Sequence, residues 1–471
     1  MTSRGTSERG SVNVIGAGQC GTLLSIMLAR QGFSVDLYER YEDPRIHDAE
    51  AGRSINLALA ARGINALKQA GIFELVEPLL VPMRGRVVHQ LDGSTEFLAY
   101  GQAEHEQIYS VTRLGLNKVL LDHAESIDAI RMHFRQAAIG YDAPDRTVHM
   151  QNLDDDSLYQ VEATPLFAAD GAGSIIRRSF DGSDTFGGIE TLLRHGYKEL
   201  WIPAAPDGSF QMRSDALHIW PRGGFMLIAL PNPGGDFTLT LFLANTGDPS
   251  FESLDNNDAV NRFFKEHFPD AEELIPYLPQ LFLNNPLGIL GTIRCRHWHD
   301  QGNVLLIGDA AHAIVPFHGQ GMNLAFEDVV LLEQIISRHG DDWPNVFARF
   351  ESEQLANANA IADMALDNYI EMRDTVRDPK FALRKELAFL LEQRLPDVFI
   401  PRYSMVMFHA DITYLMAQQR GEIQRALLEE FTADADTIDD VDADAAVQAA
   451  RDRLDPIEDI RVNRGTGMSA G

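Results

Sequence analysis

Apolar and polar positions change rhythm several times along the chain, and each change marks an element. Val12–Ile15 is a short apolar run, and the apolar positions after it recur at helical spacing as far as Gly32. Ser34–Tyr38 then returns to a strand. Strand, helix and strand in that order predict a βαβ unit and a parallel sheet. Alternation around Val87, Val88 and His89, with a turn at Asp92-Gly93, predicts strands over 83–100. Residues 108–135 return to helix and strand, and a turn-rich break at 181–196 opens a second region of period-two strands. There Phe225–Pro231 and Phe237–Leu243 flank an Asn-Pro-Gly-Gly turn, a hairpin signal. Residues 258–282 read as helical, the first pattern resumes at about 290, and 343–425 keep a helical period with few breakers.

Composition narrows the classes. With 471 residues the chain is long enough for two or three domains. Its formal charge of −29, from 69 acidic and 40 basic residues, argues against nucleic acid, because backbone binding needs clustered Lys and Arg. No run of about 18 apolar residues occurs, which predicts no membrane span. Residues 1–11 are polar and lack the apolar core of a signal peptide. Cys20 and Cys295 lie far apart in no metal spacing, which predicts no metal site and suits a reducing, cytoplasmic setting.

The first βαβ unit carries chemistry. Its strand runs into Gly16-x-Gly18-x-x-Gly21, and the second strand stops at Glu39. Gly16 permits the tight turn, Gly18 lets a pyrophosphate approach the backbone, and Gly21 lets helix pack on strand. The helix start offers free N–H groups to phosphates, and an acid at the position of Glu39 takes ribose hydroxyls. The pattern is that of a Rossmann-like dinucleotide site and does not specify which dinucleotide. Two later segments add to it. A short strand breaks at Asp170-Gly171, and another ends at Gly308-Asp309 before a helix entered through Gly319 and Gly321. A strand end in Gly-Asp can hold a cofactor's hydroxyl chain. A glycine-rich helix entry offers N–H donors to an anion, such as the N1–C2=O edge of a reduced flavin. Asp-Gly alone is above all a turn signal.

These three segments together resemble the single-component flavoprotein aromatic hydroxylases, the group typified by 4-hydroxybenzoate hydroxylase. Six strings in order resemble the kynurenine 3-monooxygenase family more closely: Gly52–Leu59, Met83–Arg86, Leu217–Pro221, Val315–Asn323, Asn368–Met372 and Phe399–Val406. The likeness covers about residues 11–425. It implies an α/β protein with a Rossmann-like FAD-binding domain, an inserted antiparallel β-sheet substrate domain and a C-terminal helical cap. The expected bounds are a disordered arm at 1–10 and an FAD domain at 11–180 with substrate-domain strands near 83–100. A substrate sheet domain follows at 181–290, an FAD-domain return at 291–342, helices at 343–431 and a solvated acidic tail at 432–471. Eukaryotic relatives carry a C-terminal membrane anchor; here that end is polar, which implies no membrane partner. The resemblance leaves a homodimer open.

The implied activity is hydroxylation of L-kynurenine to 3-hydroxy-L-kynurenine, using NADPH and O2, through a flavin C4a-hydroperoxide. FAD would be held non-covalently, with NADPH a transient visitor. By resemblance Gly16, Gly18, Gly21, Glu39 and Arg40 grip the ADP half, Gly308 and Asp309 meet the ribityl chain, and Asp170-Gly171 serves both cofactors. Arg113 meets the flavin from its helix, and Pro316, Gly319, Gly321, Met322 and Asn323 flank the reduced ring.

For the substrate, the resemblance makes Arg86 a bidentate carboxylate clamp, with Tyr100 and Tyr403 donating to the same group and Asn368 a further polar contact. Arg84 and Arg86 would share a sheet face, one the clamp and the other structural. Leu217, Ile228, Leu230 and Phe242 sit at period-two positions that suit an apolar slot or ordinary sheet core. Phe317 and His318 would lie by the flavin and the ring, His318 either bonding the ketone or shaping the loop. Glu371 and Met372 would line the pocket, or Glu371 would back Arg86. The aniline nitrogen already activates the ring, so no residue is assigned as acid or base, His318 being the one candidate. Alternatives are an FAD-dependent hydroxylase of another aromatic acid, a flavin-dependent halogenase or reductase on the same fold, and a non-catalytic flavoprotein. The halogenase string Trp-x-Trp-x-Ile-Pro has no match here.

Overall fold

A computed structural model describes residues 9–46, 56–163, 165–180, 185–373 and 379–459. Gly52–Ile55 of the first resembling string, residues 1–8 and residues 460–471 lie outside the described residues.

Two sheets carry the molecule. The first has six strands in the order His299–Asp300, Val304–Leu306, Leu166–Ala168, Arg9–Ile15, Phe33–Tyr38 and Ile130–His133. All neighbours are parallel except the first pair. Parallel strands are buried on both faces, which is why they read as apolar runs: Val14, Leu37, Phe167 and Leu305 are wholly buried. The helix Gln19–Arg30 packs on it and the helix Gly321–His339 packs on that helix, both rich in buried apolar residues.

The second sheet has seven strands: Gly288–Arg294, Ile189–Ile202, Phe237–Ala244, Met226–Pro231, Ala216–Pro221, Gly85–His89 and Thr95–Ala99. The Asn-Pro-Gly-Gly turn joins a hairpin in which Met226 pairs with Phe242 and Pro231 with Phe237. Gly85–His89 runs parallel to Ala216–Pro221, with Arg86 opposite Leu217. The sheet is therefore mixed, with one parallel pair among antiparallel ones. Trp220, Leu227, Leu239 and Leu241 bury one face against the helices Asn257–His267 and Leu278–Asn284. Arg86, Leu217, Ile228 and Phe242 present the other face to a cavity.

Four boundaries differ from expectation. The first strand begins at Arg9, where Arg9 N–H bonds the Gly32 carbonyl, so the arm does not reach residue 10. The break expected at 181–196 ends sooner, because Ile189–Ile202 is one long strand. The return expected at 291 comes later, since Gly288–Arg294 still pairs with Ile189–Ile202. The acidic tail is folded as far as Asp459. Thr437 and Asp440 form a capping box, Asp442 caps the Ala443–Arg453 helix, and Ala435, Val441, Ala446, Ala450 and Leu454 bury against Leu383, Leu387, Leu391 and Leu427. The acids face water while small apolar residues between them recur at helical spacing, and charge density concealed that stripe.

Candidate active site

The glycine turn separates into packing and open positions. Gly16 has φ +103°, and a Cβ there would lie 2.4 Å from the Ala169 carbonyl oxygen. A Cβ on Gly21 would lie 1.9 Å from the Gly16 oxygen. Gly18 is different: a Cβ there meets nothing within 4 Å. It stands at the start of a helix with no side-chain cap and no acid in its first turn, which leaves N–H groups for an anion. Glu39 is fixed beside this gap. Its Oε2 accepts from Ala17 N–H at 2.8 Å and its Oε1 from Tyr41 N–H at 2.9 Å. Each oxygen keeps acceptor capacity for a hydroxyl. Arg40 is exposed, with its guanidinium over the Tyr41 ring. These residues fit the ADP half of FAD.

Asp309 and Pro316 line the cavity with Gly319, whose φ of +66° turns the chain into the Gly321–His339 helix. Gly308 (φ +62°) packs against Cys20, where a Cβ would lie 3.0 Å from Sγ. Behind it is a pair the sequence reading missed. Asp328 accepts from Gly308 N–H at 3.2 Å and bonds His312 Nε2 at 2.6 Å, both residues buried. Asp328 raises the His312 pKa against the lowering effect of burial. The Gly321–His339 helix also starts without a side-chain cap, because the Gln320 amide is engaged elsewhere. It accepts from Tyr414 Oη at 2.7 Å and donates to Met407 Sδ at 3.0 Å.

Some expected cofactor contacts face protein. The Asn323 side chain is wholly buried: Oδ1 accepts from Ala60 and Gly63 N–H, and Nδ2 donates to the Ala58 and Gly319 carbonyls. It clips two loops together, which leaves its backbone N–H as the group at the helix entry. Met322 is a core residue. Asp170 does not line the cavity: Oδ2 accepts from Ile175 N–H at 2.8 Å at the start of the Ile175–Arg178 turn, while Oδ1 is buried without a hydrogen-bond partner. Burial raises its pKa. Gly171 (φ +78°) makes the turn, and its successors Ala172 and Gly173 line the cavity. Arg113 is exposed at the start of its helix and acts by charge on Tyr197 and Glu199.

The cavity encloses about 480 Å3. Arg86, Tyr100, Asn368, Tyr403, Leu217, Ile228, Leu230, Phe242, Phe317, His318 and Met372 all line it. Arg86 is 6 % exposed, and its Nε and Nη1 have no hydrogen-bond partner. Glu371 stands outside the wall, with Oε1 3.9 Å from Arg86 Nη1. Burial opposes the Arg86 charge, but Tyr100, Glu371 and Tyr403 outweigh it and raise the pKa. Arg84 does not share this face; it precedes the strand and is exposed.

Tyr100 and Tyr403 stack with centroids 5.2 Å apart, the Arg86 guanidinium 5.7 and 5.6 Å from their rings. Burial raises the pKa of both, so both hydroxyls stay protonated. Asn368 donates to the Phe317 carbonyl at 2.6 Å and so fixes the turn before the helix entry. Tyr369 stacks on Phe317 at 3.9 Å, a contact helical periodicity could not show. His318 stacks on Tyr403, and its Nδ1 is buried without a partner. Burial, together with Arg402, Arg86 and Arg62, pushes its pKa down to about 3, so it is a neutral imidazole.

A dinucleotide cradle opening onto a largely apolar cavity with the buried Arg86 guanidinium in its wall defines an FAD-dependent monooxygenase of the aromatic-hydroxylase class. The FAD binding domain family matches residues 9–365. The kynurenine 3-monooxygenase of Stenotrophomonas maltophilia is 47% identical over 435 residues, covering 92% of this chain and 94% of its own. That of Xanthomonas oryzae pv. oryzae (strain MAFF 311018) is 46% identical over 452 residues, covering 95% and 98%. The chain belongs to the kynurenine 3-monooxygenase family. Among solved structures, the tetrameric form of 2-methyl-3-hydroxypyridine-5-carboxylic acid oxygenase shares the fold. Its TM-score is 0.64 at 19% identity, over 79% of this chain and 95% of that one. Among the described residues no helix is long and apolar enough to cross a membrane, and no metal-holding cluster occurs.

Proposed function

We propose that this chain hydroxylates L-kynurenine to 3-hydroxy-L-kynurenine with NADPH and O2. The observation that carries the reading is Arg86, a buried guanidinium facing the cavity whose Nε and Nη1 make no hydrogen bond, the Glu371 carboxylate standing 3.9 Å from Nη1. Such a group is costly unless an anion arrives, and a carboxylate matches its fork. Bound FAD supplies the two-electron store and the oxygen chemistry. The chain does the rest. Arg86 and the neutral hydroxyls of Tyr100 and Tyr403 hold the amino-acid head at one end. Leu217, Ile228 and Phe242 hold the aromatic ring and exclude water. Phe317, fixed by Asn368 and Tyr369, sets the depth to which the ring enters. His318 offers its free Nδ1 to the aryl ketone as a neutral group. The aniline nitrogen already directs attack to the neighbouring carbon, so the reaction needs no charged base beside the ring.

The test is turnover with NADPH and L-kynurenine in air, with the product identified by mass and retention. Arg86→Ala is expected to lose about 2–5 kcal/mol of substrate binding while keeping its FAD content. Arg86→Lys rescues little, because an ammonium has no fork. Unchanged affinity in Arg86→Ala, with loss in Arg84→Ala, would reverse the assignment.

A further inference from the structure

The helix Pro379–Arg394 turns one stripe toward the helical core, with Leu383, Leu387 and Leu391 buried. A second stripe, Phe381, Lys385, Phe389 and Glu392, lies toward the substrate sheet. Phe381 packs on the cavity's apolar cluster. Lys385 Nζ donates to the Ala99 carbonyl at 2.5 Å, and Gln102 Nε2 donates to the Phe389 carbonyl at 3.1 Å and to Glu392 Oε2 at 2.5 Å. The helix is thus tied to the corner that carries Tyr100, and a lysine makes the tie beside the clamp.

That lysine is a group the proposed reaction does not use. It is half-buried, and its amine packs 5.5 Å from the Phe389 ring. The charges that act on it are Arg86 from one strand, Glu96 from the next, and Glu371 from the Trp343–Arg373 helix. Burial and then Arg86 disfavour its ammonium form, Glu371 and Glu96 favour it, and the pKa falls to about 7. A carboxylate seated on Arg86 cancels the repulsion that Arg86 exerts.

We propose that Lys385 is a positioning residue that answers occupation of Arg86: a substrate carboxylate on the clamp draws a proton onto the Lys385 amine, and the resulting ammonium holds the Ala99–Tyr100 corner in place for the carboxylate. This rests on Arg86 being the carboxylate clamp. No bond is made or broken beyond transfer of one proton from solvent to nitrogen. The sign follows from linkage. The free protein loses its Lys385 proton as pH rises through about 7, whereas the complex keeps it to higher pH. Binding takes up a proton in that window and weakens as pH rises, by at most about tenfold per pH unit for one proton.

The experiment uses the FAD-loaded protein with L-kynurenine and no NADPH. Affinity is read from the flavin spectrum between pH 6.5 and 8.5, and proton uptake from an indicator dye in weak buffer. Wild type is expected to take up a fraction of a proton near neutral pH and to bind more weakly as pH rises. Lys385→Met is expected to take up none and to show a flat profile at retained FAD content, and Lys385→Arg to show a flat profile with tighter binding than Lys385→Met. Equal proton uptake and equal slope in wild type and Lys385→Met would overturn the proposal. Should Arg86→Ala bind kynurenine as wild type does, the clamp itself is misassigned. Should Arg86→Ala lose binding while wild type takes up no proton, the clamp stands and the Lys385 role falls.

Discussion

The hydroxyls of Tyr403 and Tyr100 share a hydrogen bond while the two rings stack at 5.2 Å, although one residue follows an early strand and the other lies in the first turn of a late helix. The pair closes the cavity over Arg86 from two distant parts of the chain. Tyr403→Phe removes one hydroxyl and keeps the stack. It is expected to weaken kynurenine binding by about 0.5–1.5 kcal/mol for a neutral bond, and to leave thermal stability near wild type. Titration of the flavin spectrum measures the first and calorimetry the second. A large stability loss with unchanged affinity would make the pair structural only.

The glycine turn gives a sharper contrast. A methyl group on Gly18 meets no protein atom, whereas one on Gly16 strikes the Ala169 carbonyl in a backbone of φ +103°. Gly18→Ala should therefore fold normally and lose FAD on dialysis. Gly16→Ala should lose stability even as apoprotein. Flavin content per chain and apoprotein melting temperature separate the two.

The acidic C-terminal stretch is part of the core of the helical region. Leu454 is 5 % exposed against Leu383 and Leu427. Leu454→Ala is expected to cost about 2–5 kcal/mol. Deleting 433–471 should lower the melting temperature and expose an apolar face that binds a hydrophobic dye. A deletion that melts like the full chain would show this unit to be dispensable.

Acid should unfold the protein through its buried neutral histidines. His218 hydrogen-bonds His89 at 2.8 Å and the Arg213 carbonyl at 2.7 Å, and burial lowers its pKa to about 4. The unfolded chain binds that proton near pH 6.5, the folded chain only near 4. The folded state binds fewer protons between these values, so stability is full above pH 6.5 and falls as pH drops toward 4. The loss from His218 is on the order of 3 kcal/mol, and His318 adds to it in the same direction. Melting temperatures from pH 7.5 to 4.5 test this, with His218→Gln expected to flatten the slope.

Much of the fold could be read from apolar rhythm because parallel strands buried on two faces and a tight hairpin leave strong local signals. Arg86, Tyr100, Tyr403 and Asn368 were found through the family resemblance; nothing in their spacing joins them. The roles of Asp170 and Asn323 could not be read, since a side chain that bonds neighbouring backbone looks the same in sequence as one that meets a cofactor. Lys385 was missed because a lysine at a regular helical position reads as solvent-facing. The stripe Ala446, Ala450 and Leu454 was hidden for the opposite reason, as small residues carry little hydropathy between acids.

The parallel pairing of Gly85–His89 with Ala216–Pro221 has a consequence for how this chain can be made and remade. During synthesis the early strand leaves the ribosome with only Thr95–Ala99 to pair with, and Val87 and Val88 await a partner more than a hundred residues downstream. Closing so long a loop is slow relative to local hairpins. The late strands cannot be exchanged as a cassette either, because the guanidinium proposed to receive the substrate arrives on the early one. Retargeting this enzyme to another aromatic acid therefore requires the two distant segments to be varied together.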